Sequence, residues 1–285
     1  MTLTINTNMG SLIVQNNLNN ATNALNQSIE RMTTGYKINT AGDDAAGYSV
    51  ATGMETDLSS TSVAQNNVAL GSSLLSVAES NYDIMITHMQ RIRDLTEQAA
   101  NGTYGDDSIE AINAEITARF AEIDRISENA EYNGIKLLNG SIGADGINLQ
   151  VGIGSDGNSR ITLEQTLFED ADTQGLIGVN ATTYTGYITT GTTATITQAL
   201  DAIDDGLAKV TSRQTQIGAI QNRLDSAADA LTVQFDNLTS SLSTVKDTDI
   251  AAESSNFIKA QILQQASATL LTTANQTPSI ALNLI

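Results

Sequence analysis

The 285-residue chain has no cysteine, no tryptophan, one histidine and one proline. Without cysteine there can be no disulfide scaffold, thiolate metal site or cysteine nucleophile. The lone histidine, His88, cannot build a His-rich zinc centre and could serve a Ser-His-Asp arrangement only once. Four Phe and seven Tyr are little aromatic mass for this length, and Pro278 is the sole proline. Both shortages favour long helices that bury narrow seams. No run of about 18 apolar residues occurs, so no membrane-spanning helix is expected. The N-terminus has neither a basic n-region nor a continuous apolar h-region, so any exit from the cell is expected to avoid the general secretory route. Basic residues are few, with Lys+Arg 13 against Asp+Glu 32 and a net charge of −19. That balance disfavours nucleic acid and an anionic membrane surface as partners.

The distribution of charge says more than its sum. Residues 1–29 carry none, the first charge is Glu30, the last is Lys259, and 260–285 are again uncharged. Two neutral, amphipathic ends suggest a place where water is eventually excluded. Alone, they cannot bury enough apolar surface to offset the entropy of ordering them.

Apolar periodicity organises the rest. Val14, Leu18 and Ala21 recur 11 residues later as Leu25, Ile29 and Met32, which keeps one stripe along a nearly straight helix. Thr34-Gly35 reads as its stop. Residues 35–51, with Gly35, Gly42, Gly47 and Asp43-Asp44, read as a connector. A helix is predicted over about 51–100 on a stripe including Leu70, Leu74, Ala78, Tyr82, Met85, Met89, Ile92 and Leu95. A third follows residues 101–107, with Asp107 and Glu110 resembling a capping box and Ile109, Ile112, Ile116, Phe120 and Ile123 on one face. "INLQV" and "SRITLEQ" flank "GIGSDGN" as a β-hairpin, and 164–192 reads as short strands and loops on an outer surface.

The clearest pattern is C-terminal. Ile196, Ile203, Val210, Ile217, Leu224, Leu231, Leu238 and Val245 lie seven apart without a break. The positions four later (Leu200, Leu207, Gln214, Gln221, Ala228, Phe235, Leu242) complete a coiled-coil heptad, polar at mid-length. Such a helix is about 75 Å long and needs partners of comparable length. A last amphipathic segment, 250–275, carries Phe257, Ile258, Ile262, Leu263, Ala266 and Leu270, and Pro278 is expected to stop it.

Candidate chemistry is sparse. Gly152, Gly154 and Gly157 spell G-x-G-x-x-G, but a dinucleotide site needs a helix directly afterwards and "NSRITLEQ" reads as a strand. His88 is either a pH-sensitive contact or an ordinary half-exposed helix residue. The acidic pairs, such as Asp43-Asp44 and Asp106-Asp107, read as caps or solvated faces. No catalytic constellation and no cofactor is expected. What remains is a heptad rod with two neutral ends, the pattern of a subunit that folds as it assembles into an open helical array.

Several segments resemble bacterial flagellin: "QNNLN" (15–19), "IERMTTGYKINTAGDDAAG" (29–47), "QRIRDLTEQAANGT" (90–103), "INAEITARFAEIDRISENAEYNGIKLLNG" (112–140), "IGAIQNRLDSA" (217–227), "DTDIAAESSNFIKAQILQQA" (247–266) and "ANQTPSIALNLI" (274–285). The resemblance covers 1–165 and 196–285. It implies a mainly α fold: a long antiparallel coiled-coil rod with a small β-hairpin cap and terminal helices that pair in the assembled filament. The implied parts are 1–44 and 247–285 for the inner tube, 45–165 and 196–246 for the rod, and 166–195 as a short variable outer segment.

The same resemblance implies export of the unfolded chain by the flagellar type III apparatus, a secretion chaperone, and assembly at the tip beneath a filament cap, next to hook-junction proteins. Inner-tube packing would fall to Val14, Leu18, Leu25, Ile29, Phe257, Ile258, Ile262 and Leu270, and the rod core to Ile203, Val210, Ile217, Leu224, Leu231 and Leu238. A flagellin-sensing Toll-like receptor of hosts would contact Gln90, Arg91, Leu95 and Glu115 on the monomer. Asp94 departs from the Glu common in the family and keeps its charge. The tail bearing Leu282 and Leu284 resembles the part read by inflammasome receptors but ends in Ile285. The nearest alternative is a hook–filament junction protein. An enzyme built into such a rod and a membrane-active amphipathic protein are more distant ones.

Overall fold

A computed structural model describes the backbone of residues 7–282. The elements are α1 (Met9–Thr34), α2 (Ala45–Ala99), α3 (Asp106–Asn129), β1 (Glu131–Tyr132), β2 (Ile135–Lys136), β3 (Ile147–Gln150), β4 (Arg160–Leu163), α4 (Thr173–Ile177), α5 (Ala181–Thr190), α6 (Thr193–Lys246) and α7 (Ile250–Leu282). The mainly helical class expected from the sequence is what is found. Two compact units share α2 and α6: one is Ser59–Phe235, the other holds the segments up to Leu58 and from Asp236.

The first unit holds the large core. Ile203, Val210, Ile217, Leu224 and Leu231 of α6 are buried, as the heptad reading requires. Leu238 is half-buried and belongs to the other unit. The companion row differs from the expected one. The positions three later, Ala199, Gly206, Arg213 and Ile220, are buried, whereas Leu200, Leu207, Gln214 and Gln221 are half-exposed.

The reason is a second neighbour for α6. Gly206 leaves room for Ile177, whose Cγ2 would lie 2.8 Å from an added Cβ. Arg213 donates to the Glu169 carbonyl at 3.1 Å and to its carboxylate at 3.0 Å. Gln214 and Gln221 reach α2 instead, donating to Asp83 and Glu79.

On α2 the row from Leu74 to Leu95 is buried, but Leu70 points outward. Gly71 takes the inward place, because Leu149 of β3 packs where its Cβ would stand, 2.4 Å away. Helix α3 buries Ile112, Ile116, Phe120 and Ile123. Its N-cap is Gly105, not Asp107. Asp106 and Asp107 lie in the first turn, where carboxylates complement the helix dipole.

The β3–β4 hairpin forms as expected, pairing Ile147 with Leu163 and Gln150 with Arg160. No helix follows the glycine triplet, only a 3-10 turn at Gly157–Ser159 and then β4. A second hairpin, β1–β2, turns through Asn133 (φ 51°) and Gly134 (φ 80°), the Asn-Gly signature of a tight primed turn.

Residues 164–192 are not strands and loops. Asp172 caps α4 by accepting from the Gly175 amide, Asn180 caps α5 by accepting from that of Thr183, and left-handed Gly178 and Gly191 end the two helices. Leu167, Phe168, Leu176, Ile177, Tyr184 and Ile188 are buried. The Tyr184 ring meets Phe120 edge-on at 5.1 Å, and its hydroxyl pairs with Thr96 at 2.9 Å. These caps outweigh the low helix propensity of a Thr-rich stretch.

The other unit has little core. Its buried apolar residues are Ala21, Ile38, Ala51 and Ala260 among the described residues. Gly35 ends α1 in the left-handed conformation, as read from the sequence. Asp43 folds the connector by accepting from the amides of Asn39 and Thr40, and Asp44 opens α2 by accepting from the Gly47 amide at 3.0 Å. That start lies six residues before the expected one. Residues 35–37 pair with 246–248: the Lys37 amide donates to the Lys246 carbonyl and that of Thr248 to Gly35.

Pro278 does not stop α7, which runs on to Leu282. Proline removes one amide donor from a helix, and the carbonyl it leaves open, that of Ala274, accepts from Asn8 Nδ2 at 2.8 Å. The readings placed on Leu284 and Ile285, and on the side chain of Leu282, lie outside the described residues.

Candidate interaction surfaces

The α1–α7 pair is the first surface. Both helices present a seven-residue repeat to each other. On α7 the inward positions are Glu253, Phe257, Ala260, Gln264, Ser267, Leu271 and Ala274, and on α1 they include Val14, Leu18, Ala21, Thr22, Leu25, Ser28 and Met32. The most buried of these are small or polar: Ala21, Ser28, Glu253, Ala260 and Ser267.

Polar contacts mark the seam along its length. Gln264 donates to Thr22 at 3.2 Å, Arg31 faces the buried Glu253 carboxylate at 3.9 Å, and Ser11 donates to Asn275 at 2.8 Å. Asn8 also accepts from the Ser11 amide and so caps α1.

The larger apolar side chains point away from the seam. Met9, Leu12, Ile13 and Ile29 of α1 are exposed, as are Ile258, Ile262, Leu263 and Leu270 of α7. Ile262 is 58% exposed and Leu270 57%. The eight residues expected to pack the inner tube therefore divide. Val14, Leu18, Leu25 and Phe257 are half-buried in the pair, whereas Ile29, Ile258, Ile262 and Leu270 lie on its outside. An exposed apolar face of this extent is a contact surface in waiting. Residues 1–29 and 260–285 are uncharged, so over most of this face copies of a chain with net charge −19 meet little like-charge repulsion.

The second surface is a charged face of α2 and α3. Arg91 reaches Glu115 in a two-pronged contact, Nε to Oε1 at 3.0 Å and Nη2 to Oε2 at 3.3 Å. Arg119, one turn after Glu115, donates to the same Oε1 from Nε at 3.2 Å and from Nη2 at 3.1 Å. Its remaining nitrogen, Nη1, lies 3.2 Å from His88 Nδ1. Glu122 is held by Arg125 at 2.8 and 2.5 Å.

The hydrogen bonds from Arg91 hold the Glu115 carboxyl below the usual carboxylate range, and Glu115 raises Arg91 in return. Of the residues expected on this face, Arg91 and Glu115 are in contact and accessible, and Gln90 is exposed beside Arg91 on α2. Leu95 is not on this face. It is 2% exposed and packs in the core, on the inward row that holds Met85, Met89 and Ile92. His88 and Arg119 were not expected in the cluster. Their signal is the spacing of three between His88 and Arg91 and of four between Glu115 and Arg119, which places each pair on one helix face.

Among the described residues no helix is long and apolar enough to cross a membrane, and no group of acidic or histidine side chains could hold a metal ion.

Comparison with known proteins agrees with these features. Residues 5–142 match the family model described as the bacterial flagellin N-terminal helical region, and 200–285 the bacterial flagellin C-terminal helical region. The chain is 34% identical to the flagellin of Bacillus subtilis (strain 168), over 99% of each chain. It is 30% identical to the flagellar filament 30.7 kDa core protein of Treponema maltophilum, over 95% of each. Among solved structures it shares the fold of a putative flagellar hook-associated protein from Vibrio parahaemolyticus, with TM-score 0.60 and 18% identity over 72% of this chain and 100% of that one. Both ends and nearly the full length are matched, and the chain belongs to the bacterial flagellin family.

Proposed function

We propose that this chain is the structural subunit of an extracellular bacterial flagellar filament, polymerising through its terminal helices to serve motility. The observation that carries this reading is the outward apolar face of α1 and α7. It gathers eight exposed large apolar side chains on the two terminal helices, and the helix pair leaves them uncovered. Stacking copies in a helical array buries it, and a contact that does not close into a ring propagates without limit. Full-length relatives named as filament core proteins and flagellins support the same reading.

The chain leaves unfolded through the flagellar type III route, is held by a secretion chaperone before export, and folds at the tip beneath the cap, beyond the hook-junction proteins. The monomer is recognised by a flagellin-sensing Toll-like receptor through Gln90, Arg91 and Glu115, with Leu95 supporting that face from within. These contacts overlap subunit packing, so receptor engagement is confined to the monomer.

The test is seeded growth. Purified monomer is mixed with short filament fragments or ammonium sulfate and imaged by negative-stain electron microscopy. Long tubes of uniform diameter are the expected result. Monomer that never grows on seeds overturns the reading in favour of a hook–filament junction protein.

A further inference from the structure

The α2–α3 charge cluster ends on the His88 ring, which meets the last free edge of Arg119. Arg119 spends every edge of its guanidinium on two neighbours: Nε and Nη2 on Glu115 Oε1, and Nη1 on His88 Nδ1. A guanidinium only donates. His88 Nδ1 must therefore present its lone pair, so the ring is neutral with its proton on Nε2. The planar fork of arginine fixes the angle between its two partners. Holding Nη1 against the ring therefore sets where Nε and Nη2 meet Glu115, and Glu115 in turn sets the two-pronged contact with Arg91.

Protonation of His88 reverses this. Nδ1 becomes a donor facing a cation at 3.2 Å, and the contact is replaced by repulsion. The charges that act on the ring are Arg119 and Glu122, both from α3, and Glu122 is itself drawn to Arg125. Burial and then Arg119 hold the ring below the usual histidine value, against the opposing pull of Glu122. The neutral form is therefore the resting state near neutral pH.

We propose that His88 is a positioning residue for the Arg91–Glu115 contact surface: the neutral ring fixes Arg119, Arg119 fixes Glu115, and protonation of the ring releases both, so that a partner engaging this face binds more weakly in acid. The proposal regulates the recognition face put forward above and rests on that reading for its partner. The positioning itself does not need a partner to be measured.

Two measurements on the full-length monomer separate these levels. The first follows His88 ring nitrogens, the Glu115 side-chain carboxyl carbon and Arg119 Nε by NMR as pH falls from 7.5 to 5, in the wild type and in His88→Asn. Asparagine keeps an acceptor near the position of Nδ1 but does not titrate. The expected result is an unprotonated Nδ1 at pH 7.5 and an inflection of Glu115 and Arg119 at the His88 midpoint, absent from His88→Asn. A Glu115 signal that ignores the His88 midpoint overturns the positioning role.

The second measures binding to the ectodomain of a flagellin-sensing Toll-like receptor across the same range. The wild type is expected to lose about five- to tenfold more affinity on acidification than His88→Asn, the scale of one lost hydrogen bond. His88→Leu is expected to bind at pH 7.5 as weakly as the acidified wild type. An equal loss in wild type and His88→Asn overturns the regulation, since the receptor's own titration is common to both. No binding at any pH by a wild type whose Glu115 still follows His88 sinks the recognition reading and leaves the positioning role standing.

Discussion

Asn8 and Ala274 are joined by a side-chain-to-backbone hydrogen bond of 2.8 Å across 266 residues of sequence. The acceptor is the carbonyl that Pro278 leaves without a helical donor, and the donor is the residue that also caps α1. One amide side chain therefore closes the start of the first helix and repairs the last.

Replacing Asn8 by Ala removes both contacts, and a lost N-cap alone costs about 1 kcal/mol. The expected outcome is faster amide hydrogen exchange and proteolysis in α1 and α7, with protection in Ser59–Phe235 unchanged. Pro278→Ala restores an amide donor for Ala274. In that background the Asn8→Ala cost should shrink, and a double-mutant cycle should return a coupling of about 1 kcal/mol.

Ile262→Glu places a charge on the outward face of α7, where the wild-type side chain is largely exposed. Monomer melting should shift by no more than about 0.5 kcal/mol, as for surface changes generally. Seeded polymerisation should stop, because each copy would bury an unpaired carboxylate. Sedimentation and electron microscopy read the two halves separately.

Gly146 has φ 61°, and a Cβ there would stand 2.0 Å from the Leu163 carbonyl oxygen. Gly146→Ala combines a left-handed backbone with a clash against backbone that cannot rotate away. Destabilisation of about 2–4 kcal/mol is expected for the β3–β4 hairpin and the core beneath it, measured as a lower midpoint in denaturant melts.

Burial pushes the Tyr184 hydroxyl from 10.0 up to about 12, with the Thr96 contact opposing. A raised value in the folded state means that the fold holds the proton more tightly than the unfolded chain. The stabilisation is therefore complete below pH 10 and is lost as pH rises from 10 to about 12. A shift of this size is worth about 2–3 kcal/mol. Tyr184→Phe should flatten that part of the alkaline melting curve, while Thr96 keeps its bond to the Ile92 carbonyl.

The residues that were legible in the sequence are those whose environment repeats. Ile203 to Leu231 are buried because one neighbour runs alongside them for several turns. The row three later could not be assigned from α6 alone, since it depends on Glu169 and Ile177 folding over that side. Residues 164–192 hide their helices for a related reason: threonine argues against helix, and only the caps Asp172 and Asn180 argue for it.

The α7 stripe was found, but which half of it faces α1 depends on the partner's small residues and not on hydrophobicity. Of the recognition face, Arg91 and Glu115 are legible through resemblance, whereas the burial of Leu95 and the contact of Arg119 with His88 need the rotation of two helices about their axes.

The seam between the terminal helices carries Ala then Ser seven residues apart on both sides, Ala21 and Ser28 facing a strip that holds Ala260 and Ser267. Within that short strip, side-chain size distinguishes little between alignments one heptad apart, about 10 Å of axial travel. The polar marks at Asn8, Thr22 and Arg31 add a vernier to the larger side chains that flank it, so the alignment of the pair is set by hydrogen bonds as well as by packing.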